Sequence, residues 1–239
     1  RKYDEVGEVS QRICGVCPVI HCIIANQAIE RALGLKVSPE TILLRKMILL
    51  GQTIQSHALH LYFLSLPDFL EYQDDLKMVA DYPDRSERML ELRDCGNKII
   101  EIIGGRTVHP VSPRVGGFTK LPSREKITQL SKKVKGVMPI AVELAEMFNK
   151  LSYPEFSRET EFVSLFAPEE YPYYEGDIKS SKGYDLPTKK FIGGLNEEQK
   201  PFRLVKSAKH EGREYLVNAL ARIHLNHEFL SPKAQELLD

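Results

Sequence analysis

Arg12-Ile13-Cys14-Gly15-Val16-Cys17-Pro18-Val19-Ile20-His21 is the stretch on which the reading of this chain turns. Cys14 and Cys17 form a C-x-x-C, with His21 four residues past the second thiol. Two thiolates at that spacing can close on one soft metal ion. Gly15 lets the backbone between them bend without a Cβ clash. Pro18 suits the first turn of a helix, where its missing N–H costs nothing. Val19 to Leu33 is mostly apolar, unbroken by Gly or Pro, and stops at Gly34. This spacing predicts a helix with the cysteines at its N-terminus, where the macrodipole favours thiolate charge. His21, one turn in, lies on the face that can reach back to a sulfur or to an ion.

Other readings of a C-x-x-C stay open on these residues alone. A thioredoxin-type pair follows a strand, but Arg1 to Gln11 is charged, with only Val6 and Val9 as apolar aliphatics. A structural zinc site needs two further ligands in closed tetrahedral geometry. Cys22 points away from its neighbour His21, Cys95 lies far along the chain, and there is no second C-x-x-C. Plain buried thiols complete the set.

Bulk composition narrows the classes. The 239 residues suffice for one large domain or two small ones. Lys+Arg and Asp+Glu both number 33, and a net charge of zero argues against nucleic acid or an anionic membrane as partner. No apolar run approaches a membrane span. Four cysteines are too few for a disulfide scaffold and favour a reducing, cytoplasmic setting.

Along the chain, Ser38-Pro39-Glu40 opens a long helix running to about Ser65. Asp84 or Ser86 starts another through Ile103, stopped by Gly104-Gly105. Thr107 to Thr119 reads as a loop. Ser123 caps a further helix to about Lys150, with a kink expected near Gly136 and Pro139. After Tyr153 the texture changes. Phe162–Phe166, Tyr173–Ile178 and Phe202–Val205 read as strands, Glu214–Ile223 as helix, and Pro232–Leu238 as one more turn. The expected fold is mainly α, a helical bundle over 1–153 that resumes at 213–239, with a small α+β insertion at 154–212.

The motif Arg-Ile-Cys-Gly-Val-Cys-Pro-Val-x-His resembles the N-terminal metal motif of nickel–iron hydrogenase large subunits. Three later stretches are similar to that family's cytosolic branch, in family order. They are Gln55-Ser56-His57-Ala58-Leu59-His60-Leu61-Tyr62 with Leu66-Pro67-Asp68-Phe69, then Gly104 to Pro110 with Gly116 to Lys120, then Ala219 to Ile223. The resemblance implies an oxidoreductase of H2 with a binuclear nickel–iron centre. Residue by residue, it implies Cys14 as a terminal nickel ligand, Cys17 as a bridge between nickel and iron, and His21 as a hydrogen-bond donor to the bridging sulfur. Arg12, Ser56 and His57 become cofactor-environment residues, with His60 given a packing role. Some family members carry an acid where Ser56 stands, so an ion-pair role is not carried over. His109 falls near the expected small-subunit interface or a cluster-ligand environment, where Arg106 would pair with an acid or bind a carbonyl.

The resemblance also implies two kinds of partner: an Fe–S small subunit, and further electron-transfer subunits using a flavin or NAD(P). It takes four thiolates for the centre, two of them from a C-terminal C-x-x-C, and no cysteine follows Cys95. The chain therefore reads as a fragment of a larger subunit, inactive alone, metal-free or holding adventitious zinc. The alternatives are a non-catalytic quinone-oxidoreductase relative, which generally lacks the paired thiols, and a zinc-binding Cys/His module.

Overall fold

In the computed structural model, which describes residues 2–188, 190 and 196–238, the chain divides at Ser152/Tyr153 into two compact units. The first is built of helices, and each is delimited by local chemistry. A short helix α1 (Val6–Ser10) precedes the cysteine turn. Helix α2 (Pro18–Leu33) opens with Pro18 and closes on Gly34 at φ +66, a left-handed value that glycine adopts freely. Helix α3 (Pro39–Ala58) is capped by Ser38, whose Oγ accepts from the Thr41 N–H. The chain continues as a π-helical segment over Leu59–Ser65 and then α4 (Leu66–Phe69). The sequence reading of one long helix missed this change of winding, because nothing in Leu59–Ser65 breaks an α-helical pattern.

Helix α5 (Asp75–Asp81) is capped by Asp74, and α6 (Pro83–Gly104) ends at Gly105 with φ +80. The stretch expected to be loop contains a two-residue hairpin, β1 (Pro113–Arg114) with β2 (Gly117–Phe118). Helix α7 (Arg124–Phe148) begins at the Ser123 cap and carries Pro139 in its interior without ending there.

The core of this unit lies between α3, α6 and α7. Ile48, Leu49, Met89, Cys95, Ile99, Ile100, Leu130, Ile140 and Leu144 are buried there. At the α3–α6 crossing the backbones meet through glycines. A Cβ on Gly96 would stand 2.5 Å from the Gly51 oxygen and 2.6 Å from the Gln55 nitrogen. Helices α2 and α3 are joined by a buried ion pair, in which Arg45 donates to both Glu30 oxygens at 2.8 and 2.5 Å. Glu30 also accepts from the Gly116 N–H at 2.7 Å, and Arg45 donates to the Arg114 carbonyl at 3.2 Å, so the pair fastens the β1–β2 hairpin too.

The second unit contains a four-stranded sheet of order β5-β4-β3-β8. Strand β3 (Glu161–Phe166) runs antiparallel to β4 (Asp177–Ser180), which pairs with β5 (Asp185–Leu186). Strand β8 (Tyr215–Leu216) joins β3 in parallel, setting Glu161 opposite Tyr215. A separate hairpin pairs β6 (Asn196–Glu198) with β7 (Ser207–Lys209). Helix α8 (Ala219–Asn226) packs on β3: Asn226 donates to the Leu165 carbonyl at 3.0 Å, and His224 lies 4.7 Å from Phe162, ring to ring. The chain ends in α9 (Pro232–Glu236).

Four expectations differ here. Phe202–Val205 is not a strand but part of the turn between β6 and β7, where Phe202 and Leu204 are fully exposed. Tyr173–Gly176 precedes its strand. Tyr215–Leu216 is strand rather than helix, because it pairs with β3. Residues 213–239 form part of the second unit, where α8 covers β3, instead of resuming the helical bundle.

Candidate metal centre

The cysteine turn is shaped by its own hydrogen bonds. A 3₁₀ turn, Gln11–Ile13, delivers the chain to Cys14, which is extended at φ −143 and ψ 132. The Cys17 N–H then donates to the Cys14 sulfur at 3.2 Å, closing the four-residue loop onto one sulfur. Cys17 is the N-cap of α2 and makes no side-chain capping bond. All four cysteines are free, Cys14 and Cys17 half-buried, Cys22 and Cys95 buried.

The two sulfurs differ in how they hold a proton. The Cys14 thiol is held below its ordinary value, first by the hydrogen bond from the Cys17 thiol and then by the Cys17 N–H. Cys17 is pushed up to about 11, by burial first and next by its bond to Cys14 and that group's charge. The two thiols titrate together, Cys14 being the more acidic of the two. Cys22, one turn further in, is also pushed up to about 11 by burial, so it is an inert core thiol.

Helix α3 passes beside this turn and touches it through two glutamines. Gln52 Oε1 accepts from the Val19 and Ile20 N–H groups at 2.8 and 3.3 Å, and Gln55 Nε2 donates to the Val16 carbonyl at 3.1 Å. The sequence reading placed the helix here but looked to Ser56 or His57 for the contact. Ser56 is half-buried and His57 exposed, while Gln52 and Gln55 make the hydrogen bonds described above. Two glutamines in a helix carry no pattern that separates them from surface residues, so no sequence signal could have picked them out.

His21 is half-buried, and its backbone carbonyl accepts from Ser10 Oγ at 3.1 Å. Arg12 is exposed. It and Arg106 stand near His109, whose imidazole is held below its ordinary value by burial first and by these two cations next. His109 itself takes φ +55, a left-handed value uncommon for a residue with a side chain.

Among the described residues no three His, Cys, Asp or Glu side chains converge as a metal-ligand group. The donors present fit half of a soft-metal site: two adjacent sulfurs, one of them more acidic than an ordinary thiol, at a helix N-terminus. Such a pair needs further ligands from outside the described residues to enclose an ion.

Residues 1–89 match the family model for nickel-dependent hydrogenase. The whole chain is 32% identical to the alpha subunit of sulfhydrogenase 1 from Pyrococcus furiosus, covering 56% of that protein. It is 27% identical, over 99% of its length, to the vhu-type F420-non-reducing hydrogenase chain of Methanocaldococcus jannaschii, covering 62% of it. A solved NAD+-reducing [NiFe]-hydrogenase in the H2-reduced state superposes with a TM-score of 0.83 at 27% identity, over 94% of this chain and 56% of the other. The chain is thus similar to nickel-dependent hydrogenases, alpha subunits among them. It spans little more than half the length of those it matches.

Proposed function

We propose that this chain is the cysteine-bearing part of the catalytic subunit of a cytoplasmic nickel–iron hydrogenase, acting in reversible H2 oxidation. The observation that carries the reading is the closed Cys14–Cys17 turn, which sets two free thiols together at the start of α2. In this reading Cys14 and Cys17 would be this chain's ligands to the nickel–iron pair, Cys14 to nickel and Cys17 to both metals. His21 donates to the bridging sulfur, while Arg12, Ser56 and His57 belong to the surroundings of the centre. A nickel–iron pair, when bound, supplies a soft, redox-capable site at which H2 is split into protons and electrons.

The chain's own residues prepare that site. Cys14 is the more acidic of the two thiols and Cys17 must release its proton on binding, so metal uptake is accompanied by proton release. In the assembly proposed here, electrons leave through an Fe–S small subunit to flavin- or NAD(P)-linked subunits. A cytoplasmic setting accords with the free thiols, and among the described residues no helix is long and apolar enough to cross a membrane.

The test is nickel and iron analysis, with H2-dependent dye reduction, on a complete subunit carrying this chain. Cys14→Ser and Cys17→Ser are each expected to abolish nickel retention and turnover. Full nickel and activity in either variant overturns the assignment, and stoichiometric zinc in the parent selects a zinc-binding module. The 239 residues alone supply two of the four thiolates and are expected to turn over no H2. Activity from them alone would show the four-thiolate requirement to be wrong.

A further inference from the structure

We propose that Gln52 and Gln55 are positioning residues for the sulfur pair, holding the Cys14–Cys17 turn in a shape that leaves both sulfurs available to a metal. The inference rests on the metal reading above. The first-turn N–H groups of a helix are unsatisfied donors carrying the positive end of the macrodipole. An N-cap side chain normally accepts from one of them. Here the N-cap residue is Cys17, and its sulfur does not do so. The donors of Val19 and Ile20 are taken instead by one oxygen from another helix, Gln52 Oε1.

That substitution has a chemical consequence. Without Gln52, the free N–H groups would attract the Cys17 sulfur and turn it back to cap its own helix, away from Cys14. With Gln52 in place the donors are already occupied, and the Cys17 sulfur stays beside Cys14.

Gln55 acts on the other half of the turn. Its Nε2 holds the Val16 carbonyl, which lies between the two cysteines. One glutamine therefore accepts and the other donates. Both are nearly buried, at 8% and 7% exposure, so water is a poor substitute for either bond. An amide also suits the place because it is neutral: it fixes the turn without pairing with the thiolate charge a metal needs.

The experiment is an anaerobic Cd2+ titration of the 239-residue chain, followed by the cadmium–thiolate charge-transfer absorbance. Cys14→Ser serves as the control that the band belongs to this pair. Gln52→Met keeps the side-chain length but loses the acceptor, and is expected to weaken Cd2+ binding roughly tenfold. Gln52→Glu restores an oxygen that both N–H groups can use, and is expected to bind within about threefold of the parent. Amide exchange at Val19 and Ile20 should quicken in Gln52→Met and not in Gln52→Glu. Parent-like affinity in Gln52→Met, or equal loss in both variants, overturns the inference while leaving the metal reading intact. Should Gln52→Met fail to fold, Gln55→Met decides: a loss of roughly threefold or more supports the role, and parent-like binding overturns it. Failure of the parent chain to give a Cys14-dependent band overturns the inference, whereas the metal reading stands or falls on nickel and iron in the complete subunit.

Discussion

Arg45 and Glu30 show what a single buried pair does in this molecule. Both side chains are inside, and between them they join α2, α3 and the β1–β2 hairpin. Removing one partner strands a charge, so Arg45→Met is expected to cost about 3 kcal/mol or more in urea unfolding. Adding Glu30→Gln to it should recover part of that loss. Glu161 in the second unit makes a related prediction with a pH sign. Burial pushes its carboxyl up, but bonds from Ser180, Arg213 and His210 outweigh burial and hold it below the ordinary 4.5. A folded value below the unfolded one stabilises above the unfolded value, and that contribution is lost as pH falls through the folded one. Amide exchange of β3 should therefore quicken on acidification below about pH 4.5. Glu161→Gln should flatten this dependence and lower protection already at neutral pH.

At the scale of elements, the α3–α6 crossing is the most exacting contact. A methyl on Gly96 meets backbone on both sides, the Gly51 oxygen and the Gln55 nitrogen, and backbone cannot rotate away. Gly96→Ala is expected to cost about 2 kcal/mol in stability and to push Gln55 off the Val16 carbonyl. Thermal unfolding would report the first effect and amide exchange around Val16 the second. The helices themselves were legible in the sequence because their ends are written in single residues. Pro18 and Gly34 bound α2, Ser38 opens α3, and Ser123 opens α7. The hairpin β6–β7 was not legible, because β6 is polar and exposed, β7 is a short Ser-Ala-Lys run, and the large apolar residues sit in its turn. Hydrophobic pattern reports burial, and Phe202, Leu204 and Val205 are not buried. The cysteine turn was readable from residue types and spacing. Its support by Gln52 and Gln55 was not, since that depends on how two helices lie together.

On the scale of the whole molecule, the face around the cysteines remains apolar and open. Ile13, Val16, Ile20 and Ile24 are all exposed, the last two one turn apart on α2. Exposed apolar area of this kind favours association, so sedimentation should show self-association rising with concentration. The double variant Ile20→Lys with Ile24→Lys should suppress it without loss of helicity. The parallel pairing of β3 with β8 bears on time as well as on architecture. It joins Glu161 to Tyr215, 54 positions apart, whereas α-helices close bonds between near neighbours. Loop closure over that distance must precede the contacts that reward it, and such topologies fold slowly. In stopped-flow refolding, helical ellipticity should therefore recover in a fast phase. Protection of the Glu161–Phe162 amides should follow in a slower one, leaving the sheet the last part of the chain to be secured.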